Sequence, residues 1–202
     1  MFSISLPPFR IGAAAYWALV PFFFLLREKN ASQAFWWGGL SGAFIAVSSL
    51  NFMSFNTLTG WVSAIIVNSA YFAIYSLIHV WLAQKMGSKF IFIVAFLWTG
   101  IEFLKTQFFG GELSWANLGY THPQYLFILK NATTLNLFSV CFWLVLINFL
   151  IYSILIDLGN KRKVIWLITS ILILLLLPKF LENRSMPKPQ KIYDKFEAAF
   201  AA

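Results

Sequence analysis

Six apolar stretches, separated by short clusters of charge, glycine, proline and asparagine, divide this chain. They run over about Ile11–Leu26, Ala34–Phe55, Trp61–Ala83, Phe90–Leu104, Leu135–Leu158 and Val164–Phe180. Crossing the hydrocarbon of a bilayer as a helix takes about 20 apolar residues, with a range near 17 to 25. All six come close to that length. The first is interrupted by Pro21, and the fourth runs into Glu102 and Lys105. Both are short for a span and fit a tilted or re-entrant segment. The pattern therefore predicts an all-α, polytopic membrane bundle of about six transmembrane helices over residues 1–181. The remainder, 182–202, mixes charge with Pro187 and Pro189, lacks apolar periodicity and reads as a polar tail or linker stub.

Composition strengthens this reading. Apolar residues make up 60% of the 202 and charged residues only 11%, against roughly 25% charged in soluble domains. The mean hydropathy is +0.75. A soluble fold would display this excess as one large apolar patch. The formal net charge of +8 does not point to nucleic acid, because the basic residues sit between apolar runs rather than along one face. By connection, they alternate. The first loop has Arg27 and Lys29, the second none, the third Lys85 and Lys89. The fourth has Lys105 and Lys130 over a long stretch with Glu112, and the fifth has Lys161, Arg162 and Lys163. Loops one, three and five are then expected in the cytoplasm and both termini outside it. The five basic residues from Lys179 to Ala202 run mildly against that rule, which weighs short loops most. Trp36, Trp37, Trp61, Trp81 and Trp166 near the helix ends fit an interfacial aromatic belt. No cleavable signal is expected, since Pro7-Pro8 follows Met1 without a charged region and an apolar core.

Few residues carry candidate chemistry. Gly38-x-x-x-Gly42 is a small-residue face that lets helix backbones approach closely, so both glycines are expected to pack helices. Glu102 stands near the end of an apolar helix, where a bare carboxylate costs several kcal/mol or more. It has two readings of equal weight. One is an interfacial pair with Lys105, three residues on. The other is a group that orders the following loop or lines a polar cavity. His79 has no companion at ligand spacing and reads as a packed histidine. Cys141, the single cysteine, lies between apolar residues and reads as a small hydrophobe. Asn68, Asn136 and Asn148 are expected to hydrogen-bond between helices. The segment from Phe108 to Tyr120, with paired Gly110-Gly111, Trp115 and Gly119, reads as a structured interfacial loop. No catalytic triad, phosphate loop, metal set or cofactor motif is present.

Trp98-Thr-Gly-Ile-Glu102-Phe-Leu-Lys105, followed by Gly111-Glu-Leu-Ser-Trp115-Ala-Asn-Leu-Gly119-Tyr120, resembles bacterial apolipoprotein N-acyltransferases. That family has a W-x-x-x-E-x-x-R helix end and a G-F-P-W-x-x-x-G-Y loop. Pro7-Pro8-Phe9, Leu19-Val20-Pro21 and Ala34-Phe35-x-x-Gly38-x-x-x-Gly42 match further pieces in order, so the likeness covers about residues 6 to 180. Departures are Ser114 for the loop proline, Lys105 for the arginine and Asn51-Phe52 for a Tyr-Trp pair. Family members also begin with one further helix. Their catalytic Glu, Lys and Cys lie in a following nitrilase-like domain to which nothing here corresponds, so no catalytic residue is carried over.

The resemblance implies acyl transfer from a membrane phospholipid to the N-terminal cysteine of an apolipoprotein, in the bacterial cytoplasmic (inner) membrane. Glu102, Trp115, Gly119 and Tyr120 become candidates for lipid handling or loop ordering. The expectation is a truncated membrane domain, a fragment or a product of gene decay that is inactive alone, with phospholipid and apolipoprotein as partners; a variant is a split enzyme whose nitrilase-like domain is separately encoded. Alternatives are a non-enzymatic lipid-binding or assembly protein on the same scaffold and, with less support, a small transporter, for which paired mid-membrane charges and an internal repeat are lacking.

Overall fold

A computed structural model describes residues 12–55, 57–87, 90–108, 117–121 and 135–185. Among them are six α-helices: α1 (Val20–Leu26), α2 (Ala31–Ser49), α3 (Leu58–Met86), α4 (Phe90–Phe108), α5 (Leu135–Ile156) and α6 (Lys161–Ser185). Short 3-10 turns occupy Gly12–Tyr16, Asn51–Phe55 and Leu118–Thr121. The chain is an all-α membrane helix bundle. Leu58–Met86 and Leu137–Ile156 are long and apolar enough to cross a bilayer, and Ala13–Leu26 is a shorter apolar segment. Large apolar side chains face outward: Trp36, Leu40 and Phe44 on α2, and Ile165, Trp166, Leu172, Ile173 and Leu176 on α6. Phe44 is 74% exposed. In water such faces would be costly, whereas lipid matches them.

The helix limits differ from the apolar runs for local reasons. Pro21 lies in the first turn of α1, where a missing N–H costs nothing, so the proline starts a helix rather than breaking one. Residues 12–19 form a 3-10 helix and a turn before it. The second run, expected over 34–55, begins at Ala31 because Asn30 and Gln33 form a reciprocal cap. Gln33 N–H donates to Asn30 Oδ1 at 2.8 Å and Asn30 N–H to Gln33 Oε1 at 3.3 Å. It ends at Ser49 and is followed by the tighter turn at 51–55, where Ser54 Oγ donates to Asn51 O. The third is longer than the 61–83 run at both ends and stops at Gly87, whose φ of 54° suits glycine. Helix α4 continues past 104 to Phe108, where Thr106 Oγ1 donates back to Glu102 O within the helix. Helix α6 starts at Lys161, three residues before the apolar run, with Asn160 Oδ1 accepting from Lys163 N–H at 3.2 Å. It carries on to Ser185, so the first residues of the polar stub are helical. Residues 186–202 of that stub lie outside the described residues.

Two contacts set the bundle. Helices α2 and α3 pack most closely, through the glycine face. A Cβ at Gly42 would stand 2.7 Å from both the Asn68 carbonyl oxygen and Phe72 Cβ, and one at Gly38 would collide with the Ser76 side chain. Ser69 Oγ reaches across to donate to Gly39 O at 2.8 Å. Helix α5 touches α1, α4 and α6 and both flanking turns. Its buried Asn148 accepts from Leu19 N–H at 2.8 Å and donates to Ala15 O at 2.7 Å and to Leu144 O at 2.9 Å. Leu19 N–H and Ala15 O belong to the irregular entry segment, where hydrocarbon supplies no water to satisfy them. Around this point Phe23, His79, Phe90, Phe149 and Tyr152 form an aromatic core, with His79 Nδ1 3.0 Å from Tyr75 OH. The described Asn68 donates to its own helix, at Ala64 O. The side chain of Asn136 lies outside the described residues.

Gly42→Ala is expected to lower stability by about 1–3 kcal/mol, the usual range for overpacking. Gly100→Ala, where a Cβ meets nothing within 4 Å, should keep it or raise it by up to about 1 kcal/mol. Thermal unfolding in detergent compares the two, and equal melting temperatures would remove the α2–α3 contact from the packing account. Asn148→Leu should likewise destabilise by about 1–3 kcal/mol, since it orphans Leu19 N–H and leaves Ala15 O only the longer bond from Ala18 N–H at 3.4 Å. Faster amide exchange at Leu19 is the specific sign.

Candidate functional site

Trp98, Glu102 and Lys105 recur at four- and three-residue spacing, which places them on one face of α4. That face turns inward: all three are buried. Leu118 N–H donates to Glu102 Oε1 at 3.1 Å, and the Cys141 thiol donates to Oε2 at 2.8 Å. One carboxyl group thereby joins α4, α5 and the 118–121 turn.

A second set of bonds reinforces the turn. Thr106 Oγ1 donates to Glu102 O at 2.9 Å and accepts from Asn117 Nδ2 at 3.2 Å. Thr121 Oγ1 donates to Leu118 O at 2.8 Å. Gly119 lies flat on α5, where a Cβ would come within 2.5 Å of Leu137 O, so this approach requires glycine.

Glu102 does not pair with Lys105: the two are beyond salt-bridge distance, and Lys163–Asp157 at 2.6 Å is the one such bridge among the described residues. The three-residue spacing allows a pair. Two donors from 16 and 39 residues away occupy the oxygens instead. Cys141 is also more than a small hydrophobe. It is fully buried, yet its thiol contacts Glu102, with Thr99 Oγ1 3.9 Å from the sulfur. A signal for it does exist in the sequence. Cys141 and Asn148 are seven residues apart and so share one stripe of an otherwise apolar helix.

Beside Glu102 a small cleft with about 20 Å³ of open space lies between α3 and α4. Phe72, Tyr75, Trp98 and Ile101 form its walls, and Glu102 and Lys105 give it a polar end. Phe72 and Asn68, against which Gly42 packs, line this cleft as well. Gly38 and Gly42 thus lie one helix away from the site and help to fix its wall. Trp115 falls outside the described residues. The backbone of Tyr120 lies within the turn, and its side chain is outside the described set. Among the described residues no group of three His, Cys, Asp or Glu is placed to hold a metal ion.

Comparison with known proteins gives this geometry a family. Apolipoprotein N-acyltransferase 1 of Treponema denticola is 26% identical over 159 residues, covering 74% of this chain and 27% of that protein. Apolipoprotein N-acyltransferase of Geobacter metallireducens is 22% identical over 187 residues, 88% of this chain and 36% of that protein. The chain therefore spans about a third of the length of these curated relatives. No solved structure matches. The model of the apolipoprotein N-acyltransferase N-terminal domain matches residues 1–150, most of the sequence and all of the Glu102 site, and the chain belongs to that family.

Proposed function

We propose that this chain is the membrane domain of an apolipoprotein N-acyltransferase, and that it takes part in acyl transfer from phospholipid to the N-terminal cysteine of lipoproteins. The observation that carries the reading is the Glu102 junction, which fixes the family's loop against the helix that precedes it. In this reading the bundle holds lipid beside α3 and α4, and the ordered turn at 118–121 presents it at the extracytoplasmic surface of the inner membrane. Both termini face that side, as the distribution of Lys and Arg supports.

The acyl-carrying cysteine belongs to the nitrilase-like part that the family resemblance implies. Cys141 does not take that role. Its thiol is fully buried inside the bundle and bound to Glu102, so no acyl group reaches the sulfur. By itself the domain therefore positions lipid without transferring an acyl chain. Trp115 and Tyr120 serve lipid handling near the interface, where amphipathic rings are favoured.

Complementation tests the whole reading. In a strain lacking N-acyltransferase, this chain alone should not restore lipoprotein acylation, whereas the chain expressed with a nitrilase-like partner should. Rescue by the chain alone would overturn the scaffold role, and acylation unaltered by deleting the chain from the pair would overturn its part in the reaction. A second measurement addresses the junction. Glu102→Leu removes a charge-assisted hydrogen bond of about 1.5–3 kcal/mol, so the Leu118 amide should exchange about 10- to 100-fold faster. Cys141→Ser, which keeps a donor, should leave that rate near wild type.

A further inference from the structure

The cleft between α3 and α4 holds a cation whose obvious partner is occupied. Glu102 directs its two oxygens to Leu118 and Cys141 and stays beyond 4 Å of the Lys105 ammonium. Lys105 is 4% exposed and lines the cleft, with three N–H donors and no carboxylate at ion-pair distance among the described residues. Trp98 forms a neighbouring wall, and its indole N–H is buried without a hydrogen-bond partner. Buried indole N–H groups ordinarily find one. Next to this polar end the walls are apolar and aromatic: Phe72, Tyr75 and Ile101. The open space beside this polar end is about 20 Å³, room for about one oxygen atom.

We propose that this cleft binds the anionic oxygen of a lipid, held by Lys105 with Trp98 as a second donor, while the adjoining hydrocarbon lies along Phe72 and Ile101. In a low-dielectric setting a buried cation is stabilised only by a close anion or by several acceptors. A lipid oxyanion supplies both the charge and an apolar stem that fits these walls. A headgroup without an oxyanion would leave the ammonium without a close anion. Two lipid chemistries share this feature, a phosphate and a fatty-acid carboxylate. The site deepens the lipid-handling reading and depends on it, but it concerns binding and not acyl transfer.

The test uses the full chain in an uncharged maltoside detergent, titrated with dodecyl phosphate, laurate and dodecyltrimethylammonium, each below its micellar concentration. Bound amphiphile is counted by native mass spectrometry and affinity is taken from the shift in thermal unfolding. At least one of the two anions should bind at least 10-fold more tightly than the cation of equal chain length. The tighter of the anions identifies phosphate or carboxylate as the source. Lys105→Gln should abolish the preference, Lys105→Arg should retain it, and Trp98→Phe should weaken anion binding a few-fold. Equal binding of anion and cation by the native chain overturns the site even where Lys105→Gln fails to fold. An unaltered preference in folded Lys105→Gln does the same. Because no acylation is measured, loss of this site and loss of the acyltransferase reading are separate results.

Discussion

Inside a helix bundle surrounded by lipid, water does not complete a polar group, so each buried donor or acceptor must be matched by another part of the chain. Irregular backbone is the most demanding case. This protein matches its irregular segments with side chains on neighbouring helices. Asn148 of α5 takes up Leu19 N–H and Ala15 O at the entry to α1. Glu102 of α4 takes up Leu118 N–H at the turn before α5. Magnitudes explain why the second has the larger consequences. A neutral hydrogen bond contributes about 0.5–1.5 kcal/mol net, and one to a charged group about 1.5–3. An unmatched acid at the centre of a spanning helix costs about 2.5–3.5 kcal/mol on insertion scales. One donor at Glu102 therefore offsets most of the cost of placing an acid there.

Which elements were legible in the sequence follows from the range of the forces that set them. Apolar runs locate all six helices, because burial in lipid is decided by side chains within one segment. Their ends are decided by caps, and the Asn30–Gln33 pair is readable as such once the two positions are viewed together. The partner of Glu102 is different. Spacing alone favours Lys105, a neighbour on the same helix face, and nothing local reveals that Leu118 and Cys141 come closer. That outcome depends on how α4 and α5 pack, with Val94 and Ala95 of α4 and Leu144 and Val145 of α5 all fully buried in the same core. Cys141 was obscured for a related reason. A thiol among phenylalanine and tryptophan is usually a hydrophobe, and only an acid on the facing helix gives it another role.

The glycine face of α2 and the cleft between α3 and α4 form one mechanical unit. Gly42 admits α3 so closely that a single methyl group would strike Asn68 O and Phe72 Cβ. The ring of Phe72 contacts Trp98 at 5.2 Å between centroids, and Tyr75 contacts the same indole at 4.7 Å. Close packing on one side of α3 thereby fixes the aromatic wall presented on the other. Interiors at crystal-like density transmit such displacements rather than absorb them.

Lys105 stands where the family pattern has arginine, and the exchange bears on the proposed lipid site. A guanidinium offers a planar fork suited to two oxygens of one group, whereas an ammonium is a compact charge with three rotatable donors. Trp98, two turns earlier on the same face, adds a single donor. In this chain the geometric selectivity that arginine would provide falls instead to the walls, and above all to the position of Trp98, held edge-on by Phe72 and Phe22. Recognition of the charge then rests on one residue and recognition of the shape on another, so the two are separable by substitution at 105 and at 98.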